Sequence, residues 1–151
     1  YLNGIGRYVT VTKESIERWL KIKEDTHYGT VGAVAIDMDG KIAAGISTGG
    51  WATSLPGRVG DVPIIGGGTY ANEQVGVSCT GHGEKISKAI LAGAVGIFYE
   101  EGYDLKKSVD KSLERLRRIN GIGGLISVDF KGNMEFKATE GAYMPVSCMP
   151  K

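Results

Sequence analysis

The sequence predicts an α+β fold in which two helices cover one face of a largely antiparallel sheet. Runs of small and β-branched residues with a period of two follow residue 29, and similar runs come near the end of the chain. Between them, apolar residues recur at helical spacing over two long segments. Strands that are grouped apart from helices indicate α+β layers, because a parallel sheet would need the two to alternate.

The composition agrees with one soluble globular domain. Of the 151 residues, 42% are hydrophobic and 23% are charged, and the formal net charge is +1. The chain is too apolar for intrinsic disorder, and its charge provides no basic surface for nucleic acid. The longest nearly uncharged stretch, residues 86–99, contains Lys88 and is too short to span a membrane. Cys79 and Cys148 make no disulfide framework, which favours a reducing, cytoplasmic compartment.

One helix is predicted before residue 30. Thr12 is a suitable N-cap for a short helix over residues 12–25, whose apolar side chains fall on one face. The sequence starts with Tyr1 rather than Met, which indicates a processed product or a fragment.

A β-hairpin is predicted next. Residues 30–37 and 42–48 are rich in small and β-branched residues, and the turn between them contains Asp39-Gly40, a dipeptide that favours hairpins. Residues 49–68 are rich in loop-forming residues and end in a triple glycine. Two further short strands flank residues 71–73.

The middle of the chain is predicted to be helical. Residues 84–101 place isoleucines and alanines on one side, and we expect Gly102 to end this helix. A second helix is expected over residues 104–120, with apolar residues at helical spacing and arginines in its last turns that suit the helix dipole. Gly121 is then expected at the C′ position.

The last part of the chain returns to the sheet. Residues 125–130 and 134–138 have strand composition and are joined by the turn Lys131-Gly132-Asn133. A final extended piece is expected over residues 143–148.

Chemically active residues are few, and several familiar kinds of site are disfavoured. Cys79 and His82 are spaced as half of a metal site, but Cys148 and His27 form no compact second half, so no zinc site is expected. The glycine-rich segments contain no phosphate-binding loop, and the sequence has no Gly-x-Ser-x-Gly elbow.

The dipeptide Gly29-Thr30 offers a different nucleophile. It lies where a loop enters a strand, at the start of the stretch from Gly29 to Gly83 that contains more than half of the 24 glycines. If the peptide bond is cut, Thr30 gains a free α-amine beside its hydroxyl, with a pKa near 7.7–8.0. Nucleophile and base are then one residue. Taken alone, however, the dipeptide is better explained as the ordinary start of a strand.

Five motifs in a consistent order favour the catalytic interpretation. They are Gly29-Thr30-Val31-Gly32-Ala33-Val34-Ala35, Ile42-Ala43-Ala44 with Ser47-Thr48-Gly49-Gly50, Leu55-Pro56-Gly57-Arg58-Val59-Gly60-Asp61, Gly68-Thr69-Tyr70-Ala71 and Ser78-Cys79-Thr80-Gly81-His82-Gly83-Glu84. Together they closely resemble the plant-type L-asparaginases, also called isoaspartyl peptidases, of the N-terminal-nucleophile hydrolases. Glycosylasparaginases and threonine aspartases of the same superfamily share part of the pattern and stay as alternatives.

The resemblance implies an autoprocessing threonine amidohydrolase that acts on L-asparagine and β-aspartyl dipeptides without a metal or another cofactor. Thr30 would cleave its bond to Gly29 and then serve as the nucleophile. Thr48 would hydrogen-bond the Thr30 hydroxyl. Thr80 and Gly81 would form the oxyanion hole.

The resemblance also implies how the substrate is bound. Arg58 would bind the α-carboxylate, a task that suits its planar guanidinium, and Asp61 with the Gly83 carbonyl would hold the α-ammonium. Outside the motif, a local surface salt bridge between Arg58 and Asp61 would be the simpler explanation. His82 is interpreted as a structural imidazole and Cys79 as a small buried residue at a strand end.

For the whole enzyme, the resemblance implies an αββα sandwich of which this chain supplies about half of the layers. Residues 1–29 would be the tail of the N-terminal (alpha) subunit and a linker, and residues 30–151 the catalytic (beta) subunit. The expected partner is the N-terminal subunit of the same precursor, in a dimer of alpha–beta heterodimers. Because only a short segment precedes Thr30, a truncated non-catalytic paralogue or a fragment is the remaining alternative.

Overall fold

A β-hairpin opens the part of the chain that the structure describes. The structure is a computed structural model, and it describes residues 29–51, 54–55 and 57–148, so the helix predicted over residues 12–25 lies outside it. Strands β1 (Thr30–Ile36) and β2 (Ile42–Thr48) pair antiparallel. In the turn between them, the Asp37 carboxylate accepts the backbone N–H groups of Asp39 and Lys41, which confirms the predicted hairpin.

A four-stranded antiparallel sheet forms the second β-layer. Its strands are β3 (Thr69–Ala71), β4 (Val75–Gly81), β5 (Gly123–Asp129) and β6 (Met134–Ala138), and their order in the sheet is the order in the sequence. All three strand pairs are antiparallel, as predicted. The strand bounds lie within about two residues of the sequence-based ones.

Three helices, rather than the two predicted, connect β4 to β5. They are α1 (Gly83–Ala89), α2 (Leu91–Glu100) and α3 (Leu105–Arg118). The prediction of one helix over residues 84–101 is wrong, because Ile90 takes a left-handed conformation with φ 51° and separates α1 from α2.

The break at Ile90 has a tertiary cause. At the start of α2, the N–H groups of Ala92 and Gly93 donate to the carbonyls of Gly67 and Gly66, at 3.1 and 2.9 Å. The triple glycine therefore caps a new helix at this point. The apolar pattern runs on through the break because α1 and α2 bury their apolar sides in the same core, which is why periodicity alone suggests a single helix.

The second predicted helix is confirmed as α3, with one change at its end. Asp104 is the N-cap, and its side chain accepts the backbone N–H of Lys107 at 2.7 Å. At the other end the left-handed residue is Asn120, with φ 53°, and the Gly121 N–H donates to the Leu116 carbonyl at 2.9 Å. The expected place of Gly121 at C′ is therefore wrong, because asparagine also tolerates this conformation and glycine follows at C″.

The four-stranded sheet lies between the helices and the hairpin. Buried side chains from β4 and β5 join those of the helices in one core, which contains Val75, Val77, Cys79, Ile86, Leu91, Val95, Val109, Leu113, Leu116 and Leu125. Alternate residues of β4 face the hairpin: the Ser78 hydroxyl donates to the Gly45 carbonyl at 3.2 Å, and a Cβ on Gly76 would lie 2.6 Å from Ile42. The described residues thus form a helical layer and two β-layers, while a second helical layer stays a prediction.

Two remaining expectations concern the end of the chain and Cys79. The extended piece expected over residues 143–148 joins no strand, and Pro145 within it lacks the N–H that a ladder needs. Cys79 is buried within β4, as predicted. Across the described part of the chain, no helix has the length and apolar character to cross a membrane.

Candidate active site

Two threonine hydroxyls meet at one end of the hairpin. Thr30 is the first residue of β1 and Thr48 the last of β2, so the antiparallel register places them directly opposite each other. Their hydroxyl oxygens are hydrogen-bonded at 3.1 Å. The Thr48 oxygen also accepts the backbone N–H of Gly50 at 3.0 Å, a bond that fixes the Thr48 rotamer beside Thr30. The structure thus brings together two of the residues singled out in the sequence.

The peptide bond before Thr30 lies at the surface. Gly29 is exposed, and no described residue comes within 4 Å of the position that a Cβ would occupy there. Thr30 itself is half-buried. An uncrowded glycine next to a partly buried hydroxyl is the steric arrangement that attack on the Gly29 carbonyl requires.

Thr80 and Gly81 end strand β4 and are fixed against β5. Their register partners are Gly124 and Gly123. Gly81 has φ 137°, and a Cβ there would collide with the backbone of Ile122, so only glycine fits. Both residues are half-buried and remain partly open to solvent.

The packing of β4 on the hairpin places the Thr80–Gly81 end of β4 towards the end of the hairpin that contains Thr30 and Thr48. A Cβ on Gly32 would collide with Ser78, and Ile42, which pairs with Ile36, lies against Gly76. Moving along β4 from Gly76 to Ser78 therefore corresponds to moving along β1 from Ile36 towards Thr30.

A ring contact joins the loop after β2 to the residue that follows Gly81. The indole of Trp51 and the imidazole of His82 lie 5.7 Å apart between centroids. The His82 backbone N–H donates to the Ile122 carbonyl at 2.8 Å, and His82 is the N-cap residue of α1. The contact places the Thr48 end of β2 close to the start of α1.

Arg58 forms an ion pair with Glu84. Its Nε lies 2.8 Å from Glu84 Oε1, with the arginine side chain 21% exposed and the glutamate side chain 59% exposed. A local salt bridge between Arg58 and Asp61 was the simpler alternative, and it is wrong for the described residues, since the guanidinium turns to α1 instead. This ion pair lowers the pKa of Glu84 and raises that of Arg58.

Asp61 is a buried carboxyl group that lacks part of its hydrogen bonding. The residue is 7% exposed, and its Oδ2 has no hydrogen-bond partner among the described residues. Burial raises the pKa of Asp61, and a backbone hydrogen bond and the charge of Arg58 oppose that rise only in part. A buried carboxylate oxygen without a donor is destabilising, so this position suits a ligand that carries N–H groups.

Glycines surround the Arg58 and Asp61 side chains. A Cβ on Gly83 would lie 2.7 Å from Asp61 Oδ1, and one on Gly60 would lie 2.9 Å from an Arg58 terminal nitrogen. A Cβ on Gly68 would lie 2.8 Å from Asp61 Oδ2. The close approach of these backbones explains why glycine is concentrated in this part of the sequence.

Two residues of the site had no role in the sequence analysis. Glu84 stood in the last motif, but nothing in its spacing predicts a pairing with Arg58, 26 residues away. Gly68 opens the fourth motif, but nothing in that motif predicts its contact with Asp61.

The residues considered for metal binding are dispersed. Within residues 29–51, 54–55 and 57–148, no group of three or more His, Cys, Asp or Glu is arranged to hold a metal ion. Cys79 is enclosed by the core, and this burial raises the pKa of its thiol well above the usual range. Cys148 is exposed, and His27 lies outside the described residues.

A wide surface groove of about 670 Å³ runs along α3. Its lining includes Phe98, Lys111 and Arg115, and it contains none of the candidate site residues Thr30, Thr48, Thr80, Arg58, Asp61 and Glu84. The groove is therefore separate from the candidate active site at the end of the β-layers.

Comparison with known proteins supports the motif-based resemblance. The family model described as Asparaginase matches residues 6–148. The chain is 44% identical to the isoaspartyl peptidase of Escherichia coli strain K12 over 126 residues, 81% of this chain and 39% of that protein. It is 44% identical to an isoaspartyl peptidase/L-asparaginase of Xenopus laevis, over 84% of this chain and 44% of the relative.

A third relative extends the comparison to another domain of life. The plant-type L-asparaginase of Thermococcus kodakarensis is 37% identical over 89% of this chain and 52% of its own length. The chain thus spans about half the length of these relatives or somewhat less. Since the family model covers nearly all of its residues, the chain belongs to the asparaginase family.

Proposed function

We propose that this chain is the catalytic part of an N-terminal-threonine amidohydrolase that acts on L-asparagine and on β-aspartyl dipeptides. The observation that carries the proposal is the hydrogen-bonded pair of Thr30 and Thr48 beside the exposed Gly29. The names of the relatives, isoaspartyl peptidase and L-asparaginase, support the same chemistry.

The first step is self-cleavage before Thr30. The Thr30 hydroxyl oxygen attacks the Gly29 carbonyl carbon, and the C–N bond breaks as the ester forms. Water then hydrolyses the ester, which leaves a carboxylate on Gly29 and a free α-amine on Thr30. That amine has an ordinary pKa near 7.7–8.0, so a useful fraction is neutral at physiological pH.

The same hydroxyl then attacks the side-chain carbonyl of the substrate. The α-amine of Thr30 accepts the hydroxyl proton and passes it to the leaving ammonia or amino acid. Thr48 orients the hydroxyl through the 3.1 Å hydrogen bond. Water hydrolyses the resulting β-aspartyl ester and releases aspartate, which restores the threonine.

The oxyanion hole is assigned to Thr80 and Gly81. The Thr80 hydroxyl and the Gly81 N–H would donate to the oxygen that becomes negative during attack on the carbonyl. Both residues end a strand that is held by its register with β5, so their positions are preorganised. Loss of one such donor typically lowers kcat by about 10²–10³.

Arg58, Asp61 and the Gly83 carbonyl are assigned to the amino acid part of the substrate. Asp61 Oδ1, the carboxylate oxygen nearer to Gly83, would accept an N–H of the α-ammonium. Arg58 retains terminal N–H groups for the α-carboxylate, because its ion pair with Glu84 uses Nε. The positive charge of Arg58 would thus face the substrate carboxylate, and the negative charge of Asp61 would face the substrate ammonium.

The proposal extends to the whole protein. Residues 1–29 are assigned to the tail of the alpha subunit and a linker, and residues 30–151 to the beta subunit. The outer face of the hairpin exposes Val31, at 70%, and an N-terminal subunit of the same precursor would cover it in an αββα sandwich and a dimer of heterodimers. Cytoplasmic localisation and the absence of a cofactor stay predictions from the sequence.

Intact-mass analysis with Thr30→Ala tests the proposal. The unmodified protein is expected to yield a product that starts at Thr30 and to hydrolyse L-asparagine, whereas Thr30→Ala stays uncleaved and inactive. Ser47→Ala, which removes an exposed hydroxyl beside Thr48, is the matched control and is expected to be cleaved normally. An active Thr30→Ala protein would contradict the proposed nucleophile.

A panel of substrates distinguishes the remaining alternatives. Glycosylated asparagine or a protein aspartyl bond as the preferred substrate would place the chain with the glycosylasparaginases or the threonine aspartases. An unmodified protein that folds, yet neither cleaves itself nor hydrolyses any of these substrates with its N-terminal subunit present, would identify a non-catalytic paralogue.

A further inference from the structure

Arg58 stands on a loop and needs a tether to point in one direction. It follows Gly57, which has φ 90°, and its backbone N–H donates to the Leu55 carbonyl at 3.1 Å. No helix or strand contains it. A long arginine side chain on a loop loses rotamer entropy when it is fixed, so an unanchored arginine binds a carboxylate less tightly.

Glu84 supplies that tether from a different element. It lies in the first turn of α1, and its Oε1 accepts a hydrogen bond from Arg58 Nε at 2.8 Å. A guanidinium has five N–H donors, and this bond uses the one on Nε. The four donors on the two terminal nitrogens stay available for a second carboxylate.

The terminal nitrogens point towards the space that glycines leave open. A Cβ on Gly60 would lie 2.9 Å from Nη1, and a Cβ on Gly83 would lie 3.0 Å from Nη2 and 2.7 Å from Asp61 Oδ1. The outer edge of the guanidinium and the buried carboxyl group therefore share one small region beside Gly83. In this region the ammonium and the carboxylate of an α-amino acid can be bound together.

We propose that Glu84 is a positioning residue for substrate recognition, which holds Arg58 by Nε so that the terminal nitrogens face the substrate α-carboxylate. The inference rests on the proposed function. An exposed ion pair contributes little to stability, so the effect of Glu84 is expected in KM and not in folding. The Arg58 pairing lowers the pKa of Glu84, which keeps the tether ionised at neutral pH.

The competing interpretation is that Glu84 blocks Arg58 until substrate displaces it. The two interpretations predict opposite signs, because loss of a blocking carboxylate would lower KM whereas loss of a tether raises it. Bonding through Nε favours the tether, since a blocking carboxylate would occupy the terminal nitrogens.

The test compares Glu84→Ala, Glu84→Gln and the unmodified full chain. Glu84→Ala is expected to raise the KM for L-asparagine about tenfold, in proportion to the arginine freedom it restores, with kcat changed less than twofold. Glu84→Gln keeps an oxygen that accepts from Nε, so it is expected to recover most of the loss. Glu114→Ala removes an exposed ion pair with Arg118 on α3 and is the matched control, with an unchanged KM.

A substrate without the α-carboxylate separates positioning from a structural effect. L-asparaginamide carries a neutral amide in that place, so its KM is expected to be equal in Glu84→Ala and the unmodified protein. Equal increases for both substrates, no increase for either, or a lower KM for L-asparagine would overturn the role of Glu84. Cleavage before Thr30 is expected to be unaffected.

Calorimetric binding of L-aspartate keeps this inference distinguishable from the proposed function. If the unmodified chain binds L-aspartate but hydrolyses nothing, the hydrolytic proposal fails, and a roughly tenfold weaker Kd in Glu84→Ala still supports the tether. If hydrolysis occurs and neither KM nor Kd responds to Glu84→Ala, the tether fails alone. A chain that neither hydrolyses L-asparagine nor binds L-aspartate overturns both.

Discussion

At the scale of single residues, Asp61 shows how a candidate binding site can be less stable than the surrounding fold. Its carboxyl group is buried, one oxygen lacks a partner in the described structure, and burial raises its pKa. A folded-state pKa above the unfolded value means that the folded protein favours the protonated form. The contribution of protonated Asp61 to folding stability is thus fully present below the unfolded pKa, near 3.8. It is lost as the pH rises through the raised pKa of the folded state.

Asp61→Asn should therefore increase stability and weaken function. At pH 7 we expect the free energy of unfolding to rise by about 1 kcal/mol, because no unpaired charge is buried, and the KM for L-asparagine to rise at least tenfold. Urea unfolding from pH 7 down to pH 4 measures the stability difference, which should shrink as Asp61 in the unmodified protein becomes protonated. Asp39→Asn, in an exposed turn, is the control. If the stability of Asp61→Asn relative to the unmodified chain is lower at pH 7 than at pH 4, the explanation by a buried charge is wrong.

Much of the candidate site is predictable from local sequence, and its pairings are not. Thr30, Arg58 and Asp61 are found by motif, since their spacing along the chain is short and characteristic. The partner of Arg58 depends on where helix α1 docks, and Glu84 lies 26 residues away. Spacing cannot predict a contact that only tertiary packing creates.

At the scale of elements, the junction between α1 and α2 places an unfavourable residue in a left-handed conformation. Ile90 is 49% exposed and has φ 51°, a region that β-branched side chains rarely adopt. No glycine or proline marks the break, so the sequence indicates a continuous helix. The carbonyls of Gly66 and Gly67 start α2 from outside, and this long-range capping outweighs the local preference.

Ile90→Asn tests whether strain is present at this junction. Asparagine tolerates the left-handed region, so the free energy of unfolding should increase by about 0.5–1 kcal/mol in urea denaturation. Ile97→Asn is the matched control, because Ile97 is 54% exposed within α2 and has helical geometry. That variant should be neutral or less stable. Equal effects of the two variants would show that loss of exposed apolar surface, and not backbone conformation, decides the result.

At the scale of the whole molecule, the helical layer and the sheet are joined by a polar contact as well as by the core. The Tyr99 hydroxyl of α2 donates to Asp129 Oδ2 at the end of β5, at 3.1 Å. The other acceptor sites of Asp129 are used in the β5–β6 turn, where Asn133 donates from both its backbone and its side chain. Desolvation and the Asp129 carboxylate raise the pKa of Tyr99 to about 12.

Tyr99→Phe should remove a contribution to stability that depends on alkaline pH. Because the folded pKa is raised from 10.0 to about 12, the contribution is present below pH 10 and is lost as the pH rises through 12. We expect Tyr99→Phe to be about 1 kcal/mol less stable at pH 8 and equal to the unmodified protein near pH 12. Urea unfolding with Tyr103→Phe as control measures this, and a stability difference that stays constant with pH would exclude the hydrogen bond as its source.

The layer order could be predicted in part. Grouped strands and helices indicate an α+β arrangement, and the β5–β6 hairpin follows from its Lys131-Gly132-Asn133 turn. The packing of the first hairpin on β4 depends on small residues such as Gly32 and Gly76, which permit close approach of two sheets. Small residues carry little hydrophobic signal, so periodicity alone does not predict which face they cover.

The triple glycine has a consequence for engineering the substrate preference proposed for this chain. Gly66 and Gly67 cap α2 and Gly68 contacts Asp61, while the Gly68 carbonyl accepts the Cys79 N–H of β4 at 2.8 Å. The start of α2, the contact with β4 and the position of the Asp61 carboxyl group thus depend on three consecutive residues, so we expect few substitutions to be tolerated there. Directed evolution of specificity should therefore keep residues 66–68 constant.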